Sequence, residues 1–359
     1  MRLCLRLAER GRGSTRPNPV VGAIVVRGKR RLAGGFHARP GGDHAEVAAL
    51  RKLGFSALGA TLYVSLEPCC HTGRTGPCTD VIIRSGVARV VIGCRDPNPL
   101  VDGGGIRRLR RAGIRVDVGC IERECRDANR PFLRWIADGR PLVTLKAAVT
   151  LDGFIAEPDG KSRWITGPAA RQVAHEFRAT HDAVLVGAGT VLADDPALTV
   201  RLPGGRLAGR TPLRVVLDGR LRTPARARVL RKGDGPATLL VAAKGAAPAR
   251  VRALEQAGAE VAFVPGRRGR IAIRDLLELL ARRGVQTLLV EGGAAVHGAF
   301  IDARLVDRVA LFVSPRFIGR GVPMAAGAGL PLARALSLGP LQVTRIAGDI
   351  LLRSEVEED

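Results

Sequence analysis

Residues 60–94 run ATLYVSLEPCCHTGRTGPCTDVIIRSGVARVVIGC. Ala60 to Leu66 reads as a strand, Cys78 to Ile83 as the start of a helix, and Val87 to Gly93 as a second strand closed by glycine. A loop carrying Cys69, Cys70 and Cys78 joins the first strand to the helix. The same alternation extends both ways. Upstream lie a short helix from Leu3 to Glu9, a β-branched run from Val20 to Val26, a partner for it at Leu32 to Phe36, and a helical stripe from Glu46 to Leu53. Downstream come a helix from Gly105 to Ala112, a strand from Ile114 to Val118 and a helix from Glu122 to Trp135. Helices alternating with apolar strands require a layered α/β fold, because each strand must be covered on both faces.

Chemistry gathers on this frame. His44 and Glu46 lie two apart after the loop Pro40-Gly41-Gly42-Asp43, where the chain empties into a helix. In that first turn His44 can face a metal while Glu46 reaches a water bound to it. Cys69 follows Pro68 at the end of a strand, and Cys78 follows Pro77 at the start of a helix, where unpaired amides favour a thiolate. One imidazole and two thiolates leave the fourth position of a zinc ion open, as catalytic sites require. Cys70 and His71 stand close enough in sequence to compete, with Cys69 preferred because it follows Pro68 directly. The set suits a hydrolytic deaminase, with His44, Cys69 and Cys78 as zinc ligands and Glu46 moving protons between water, ring nitrogen and departing ammonia.

A chain of 359 residues has room for two domains. Its formal charge is +24, with 57 Lys and Arg against 33 Asp and Glu. The excess is not confined to one block, and no helix-turn-helix, finger or aromatic-interleaved basic strip accompanies it. It therefore reads as arginine spread over solvated faces, compatible with a small phosphorylated substrate and with no nucleic acid partner. Seven cysteines at irregular spacing argue against a disulfide framework. No apolar run is long enough to cross a bilayer, and the first residues lack the features of a signal peptide, so a cytoplasmic enzyme without a membrane partner is expected.

A turn at Gly139-Arg140-Pro141 marks a boundary, giving domains 1–140 and 141–359. Beyond it the alternation restarts with strands at Leu142 to Ala147, Ala183 to Val186, Leu213 to Leu217, Thr238 to Ala242, Ala259 to Val264, Gln286 to Val290 and Val306 to Val313, and in the Leu341 to Val356 region. Helices at Ala169 to Arg178, Arg250 to Ala257, Ile271 to Arg282 and Ala294 to Asp302 separate them, so a mostly parallel α/β domain is expected. The segments 201–210 and 265–270 read as Gly/Arg/Pro-rich loops. Lys146, Thr150 and Asp152 are placed just after the first strand. Glu291-Gly292-Gly293-Ala294-Ala295 lies where a strand gives way to a helix, the place of ligand contact in an open α/β sheet. Gly187-Ala188-Gly189-Thr190 is a weaker signal of the same kind. His175, His181 and His297 read as structural or surface groups.

Three segments of the first domain, Thr15 to Gly22, His44 to Val47 and Leu66 to Cys78, resemble the deaminase domain of the bifunctional riboflavin-biosynthesis deaminase/reductases. The long insert between the cysteines separates the pattern from deaminases with a C-x-x-C pair, and Cys70 stands where the family commonly has Ser. The resemblance implies a three-layer cytidine-deaminase-like fold with zinc, and a pyrimidine contact for Asn18. Arg74, in the cationic loop from His71 to Thr75, is the choice for a ribose phosphate. Lys146 to Gly153, Ser162 to Thr166, Val191 to Arg201 and Val290 to Gly293 resemble the reductase domain of the same family, which is similar in fold to dihydrofolate reductase. By matching motifs, Ala148, Trp164, Thr190, Asp194, Gly293, Ala294 and Ala295 would meet NADPH. Ser162, Arg178, Leu198, Arg201 and Glu291 would meet the substrate, Arg178 and Arg201 suiting its phosphate through forked guanidinium donors, with Lys146 and Asp195 as polar supports. The implied reactions are deamination of a 2,5-diamino-6-phosphoribosylamino-pyrimidinone and NADPH-dependent reduction of the ribosyl group of the product to ribityl. The resemblance also implies a homo-oligomer. The alternatives are a nucleoside or tRNA deaminase with a non-reducing second domain, and a basic zinc protein that binds nucleic acid.

Overall fold

The computed structural model describes residues 1–73, 75–201, 211–231, 237–267 and 269–357. Its chain separates into two units, Met1–Gly139 and Arg140–Asp359. The first holds α1 (Arg2–Ala8), β1 (Gly22–Arg27), β2 (Arg30–Phe36), α2 (Ala45–Arg51), β3 (Thr61–Leu66), α3 (Cys78–Arg84), β4 (Arg89–Cys94), α4 (Gly104–Arg111), β5 (Arg115–Val118) and α5 (Glu122–Asp138). The strands form one sheet in the order β2-β1-β3-β4-β5. β1 runs antiparallel to both neighbours, while β3, β4 and β5 are parallel. The 60–94 stretch is therefore a parallel crossover, with α3 between β3 and β4.

Two glycines on the first hairpin show why the unit has three layers. Gly22 pairs with Phe36 and Ala23 with Gly35, so Gly22 and Gly35 face opposite sides of the sheet. A Cβ on Gly22 would stand 2.0 Å from the Cys4 carbonyl oxygen of α1, and one on Gly35 would stand 2.5 Å from backbone atoms of Ala45 and Ala49 in α2. Helices thus press onto both faces at distances only glycine permits. One core joins Val25, Leu62, Val64, Val90 and Ile92 to Leu50, Ile82 and Leu109 of the helices. Another joins Leu66 and Cys94 to Cys125, Phe132 and Leu133 of α5. Burial of these side chains, at about 25 cal/mol per Å² of apolar surface, is the main stabilising term.

The second unit holds β6 (Leu142–Thr150), β7 (Phe154–Ala156), α6 (Pro168–Thr180), β8 (Ala183–Gly187), α7 (Ala188–Asp194), β9 (Leu213–Leu217), β10 (Thr238–Ala243), α8 (Pro248–Gln256) and β11 (Ala259–Val264). It continues with β12 (Gly266–Arg267), β13 (Arg270–Ile271), α9 (Ile273–Arg282), β14 (Thr287–Gly292), α10 (Ala294–Asp302), β15 (Arg308–Ser314), β16 (Val322–Pro323), β17 (Gln342–Ile346) and β18 (Asp349–Glu355). Nine strands make one sheet, β11-β10-β9-β8-β14-β6-β15-β18-β17. It is parallel from β11 to β15 and ends in the antiparallel pair β18 and β17.

The β7 and β16 strands, which pair with one another, were not foreseen, and other elements also differ from the sequence reading. β6 continues to Thr150 because Ser314 of β15 pairs with Thr150, so Lys146 and Thr150 lie within the strand rather than after it. Ala188 to Asp194 is a helix, masked in the sequence by its short length and by Gly189. Residues Gly266–Arg267 and Arg270–Ile271 form a small antiparallel ladder where a loop was expected, which delays the start of α9 to Ile273.

Candidate active sites

In the first unit, His44 is the residue that caps the start of α2, and Cys78 is the first residue of α3. Cys69 lies in the turn after β3. His44 Nδ1 stands 3.2 Å from Cys78 Sγ and 3.5 Å from Cys69 Sγ, and the three atoms lie within 4.8 Å of one another. The backbone N–H of Cys78 donates to Cys69 Sγ at 3.3 Å. Hydrogen bonds from the Cys78 thiol, from this amide and from His44 outweigh burial and lower the pKa of Cys69, while the Cys78 thiol is raised by Cys69 and by burial. One imidazole and one readily ionised thiol beside a second thiol form a donor set that fits zinc. Cys70 points elsewhere, with Sγ 3.7 Å from the Leu100 carbonyl oxygen.

Glu46, in the first turn of α2, is only 3% exposed. Burial, then the neighbouring Cys69, pushes its carboxyl up to about 7, the range in which a proton carrier is most effective. A cleft of about 370 Å³ bounded by His44, Val47 and Pro77 opens beside the ligand set. Asn18 lies on the loop before β1, which is anchored where Asn129 of α5 exchanges two hydrogen bonds with the backbone of Val20. Arg74 lies outside the described residues.

Two residues of this site were missed in the sequence. His37 is buried beside His44, with ring centroids 5.1 Å apart, and its Nε2 lies 2.9 Å from Asn18 Nδ2. Its Nδ1 lies 3.0 Å from the Asp43 carbonyl, so Nδ1–H donates there and Nε2 accepts from Asn18. Glu67, also buried, accepts backbone N–H groups from Gly103, Ile106 and Asp96, which ties the cysteine turn to the start of α4. His37 lies in none of the motifs, and Glu67, though inside the Leu66 to Cys78 motif, has its role set by tertiary contact.

In the second unit, a cleft of about 650 Å³ opens beside β6, β8 and β14, the size of a site for a small molecule or cofactor. The chain begins this sheet at β6, builds outward to β11 and returns to β14 and β15 on either side of β6. The crevice thus lies at a switch point of the sheet. Ala148, Ser162, Trp164, Thr190, Asp194, Gly293 and Ala294 line it, as do Lys146, Arg178, Leu198, Arg201 and Glu291. Trp164 is 61% exposed, with the Arg171 guanidinium 4.3 Å from its ring centre. Ser162 Oγ donates to Asp194 at 3.0 Å, and Thr190 Oγ1 donates to the Gly292 carbonyl at 3.2 Å. Gly293 has φ +84° and a Cβ there would stand 3.0 Å from Thr190 Oγ1, so both the backbone shape and the close approach of Thr190 favour glycine.

Ala295, the second residue of α10, is exposed and lies outside the residues that bound the cleft. Asp195 does not line the cleft either; its carboxylate accepts the Arg228 backbone N–H at 2.7 Å. Arg178 does not offer an open fork to a phosphate. Its Nε and Nη2 donate to the two oxygens of Glu291, each at 2.7 Å. Burial opposes ionisation of Glu291, but the charges of Arg178 and Lys146 outweigh it and hold its carboxyl at about 2. Lys146 is lowered by burial and stands over the Phe312 ring at 5.4 Å.

Comparison with known proteins accounts for both units. The family model for the cytidine and deoxycytidylate deaminase zinc-binding region matches residues 1–94, and the model for the RibD C-terminal domain matches residues 141–352. The chain is 41% identical to the riboflavin biosynthesis protein RibD of Aquifex aeolicus, covering 98% of this chain and 96% of that one. Identity to the RibD of Bacillus amyloliquefaciens is 43%, covering 98% and 94%. Among solved structures, RibD of Acinetobacter baumannii aligns with a TM-score of 0.86 at 36% identity, covering 99% of this chain and 98% of that one. A Thermotoga maritima protein, named as a diaminohydroxyphosphoribosylaminopyrimidine deaminase/5-amino-6-(5-phosphoribosylamino)uracil reductase, aligns with a TM-score of 0.82 at 37% identity, covering 99% and 97%.

Proposed function

Since the chain belongs to the RibD family of riboflavin biosynthesis proteins, we propose that residues 1–140 carry its hydrolytic deamination and residues 141–359 its NADPH-dependent reduction. The chain is a bifunctional deaminase/reductase of riboflavin biosynthesis, and the nucleoside-deaminase and nucleic-acid-binding alternatives are not favoured. The observation that carries this division is the presence of a metal-ligand triad with a buried carboxyl in one unit and a cofactor-sized cleft in the other.

In the deaminase half, His44, Cys69 and Cys78 hold zinc, which when bound supplies the Lewis acid that activates water. Glu46 takes the proton of the attacking water and delivers protons to the ring nitrogen and the departing amine. Its burial supports that role, since a carboxyl near 7 both accepts and releases protons at neutral pH. His37 turns the Nδ2 of Asn18 toward itself, which leaves Asn18 Oδ1 for the donor groups of the pyrimidine edge.

In the reductase half, NADPH when bound supplies the hydride. Ala148, Trp164, Thr190, Asp194, Gly293 and Ala294 orient it. Ser162, Leu198 and Arg201 meet the substrate, with Arg201 on its phosphate because guanidinium offers forked donors. The Arg178–Glu291 pair forms a fixed polar wall with Lys146 beside it. The substrate is a phosphoribosylamino-pyrimidine that passes from the first reaction to the second. Among the described residues no helix is long and apolar enough to cross a membrane, and all seven cysteines are free, which supports a cytoplasmic reading.

The test is an assay of the full chain with zinc and the diaminopyrimidine substrate, following ammonia and NADPH oxidation separately. Ammonia is expected without NADPH, and NADPH oxidation only after deamination. Ammonia release with no NADPH oxidation at any substrate concentration leaves only the first half standing.

A further inference from the structure

Gln172, His175 and Arg178 recur every three residues on α6 and so share one side of the helix. All three reach the same short segment, Thr199 to Arg201. Gln172 Nε2 donates to the Arg201 carbonyl at 3.3 Å, the Arg201 backbone N–H donates to His175 Nδ1 at 3.3 Å, and Arg178 Nη1 donates to the Thr199 carbonyl at 3.1 Å. The chain enters this segment through Asp195 at φ 41° and Leu198 at φ 53°, in the left-handed region that residues with a Cβ disfavour. A run held in such a shape persists only where its surroundings over-determine it.

The contact also fixes the state of His175. A backbone N–H can only donate, so Nδ1 carries no proton and the ring is neutral with its proton on Nε2. Burial, then the Arg178 guanidinium, pushes His175 below its ordinary value against the opposing charge of Glu291 and a bond to the Thr199 carbonyl, in keeping with a neutral ring.

We propose that His175, aided by Gln172, is a positioning residue of the reductase site, holding the backbone of Arg201 so that its guanidinium meets the substrate phosphate. This rests on Arg201 being the phosphate ligand, as read above. His175 acts through Arg201 and takes no part in hydride transfer.

The experiment is steady-state reduction of the deaminated phosphoribosylamino-uracil by the full-length chain and its variants His175→Ala, His175→Asn, Arg201→Ala and the double His175→Ala/Arg201→Ala. Asparagine puts an acceptor oxygen where histidine has Nδ1. His175→Ala is expected to raise KM for the pyrimidine by about tenfold, the worth of one hydrogen bond that places a binding group, with KM for NADPH within about twofold. His175→Asn is expected to return KM to within about threefold of the unsubstituted chain. Adding His175→Ala to Arg201→Ala should give no further loss, because residues acting as one unit are not additive. Full additivity in the double variant overturns the proposal, as does an Asn variant as weak as the Ala one. A raised KM in Arg201→Ala with an unchanged KM in His175→Ala overturns positioning alone. An unchanged KM in Arg201→Ala removes the phosphate-ligand reading and the positioning proposal with it.

Discussion

Glu46 is kept dry by its place in the first turn of a helix packed on a sheet, and that burial sets its proton affinity. Replacing it by Gln keeps the shape and removes the proton carrier. Glu46→Gln should retain one zinc per chain by metal analysis while the deamination rate falls by about 10²- to 10⁴-fold; a near-normal rate would remove Glu46 from the mechanism. Glu291 gives a pH prediction. Its carboxyl is held at about 2, below the ordinary 4.5, so the pair with Arg178 contributes stability fully present above about pH 4.5 and lost as pH falls from there toward 2. Urea unfolding should show that loss in the unsubstituted chain. Glu291→Gln, which strands a buried guanidinium, should lower stability at pH 7 by about 3 kcal/mol and flatten the acid loss. His44, Glu46, Cys69 and Cys78 were legible because each sits at a local signature, such as a residue after a proline or at a helix start. His37, Gln172 and the role of Glu67 were not, because their partners are brought near only by the fold.

At the scale of elements, the cysteine turn depends on α4 as much as on β3. A Cβ on Gly105 would stand 2.1 Å from the Pro68 carbonyl oxygen, and Glu67 is bonded to the backbone around that same helix start. Gly105→Ala should displace the turn that carries Cys69 and weaken zinc retention by about 10- to 100-fold in competition with a chelator. Zinc affinity equal to that of the unsubstituted chain would show that the turn tolerates the added carbon. Periodicity located nearly every long element, since apolar stripes and β-branched runs are what burial selects. It failed where pairing decides the outcome. β6 extends to Thr150 because β15 is there to receive it, and the β12–β13 ladder forms from a segment that looks like a loop.

For the whole molecule, one candidate site within each of the two units predicts separable activities. The Glu46→Gln chain, given substrate that is already deaminated, should oxidise NADPH at the rate of the unsubstituted chain within about twofold, since sites that share no residues or partners contribute nearly independently. A joint loss of both activities would contradict the division of labour. The class of fold in each half was legible because strands and helices alternate, yet the order of strands in the second sheet was not. Its first strand in sequence, β6, ends at the centre, between β14 and β15. During synthesis, the apolar LVTLKAAVT run of β6 therefore leaves the ribosome long before either neighbour exists, with both hydrogen-bonding edges open. A nascent chain stalled before Thr287 would be exposed to aggregation and dependent on chaperones until β14 emerges.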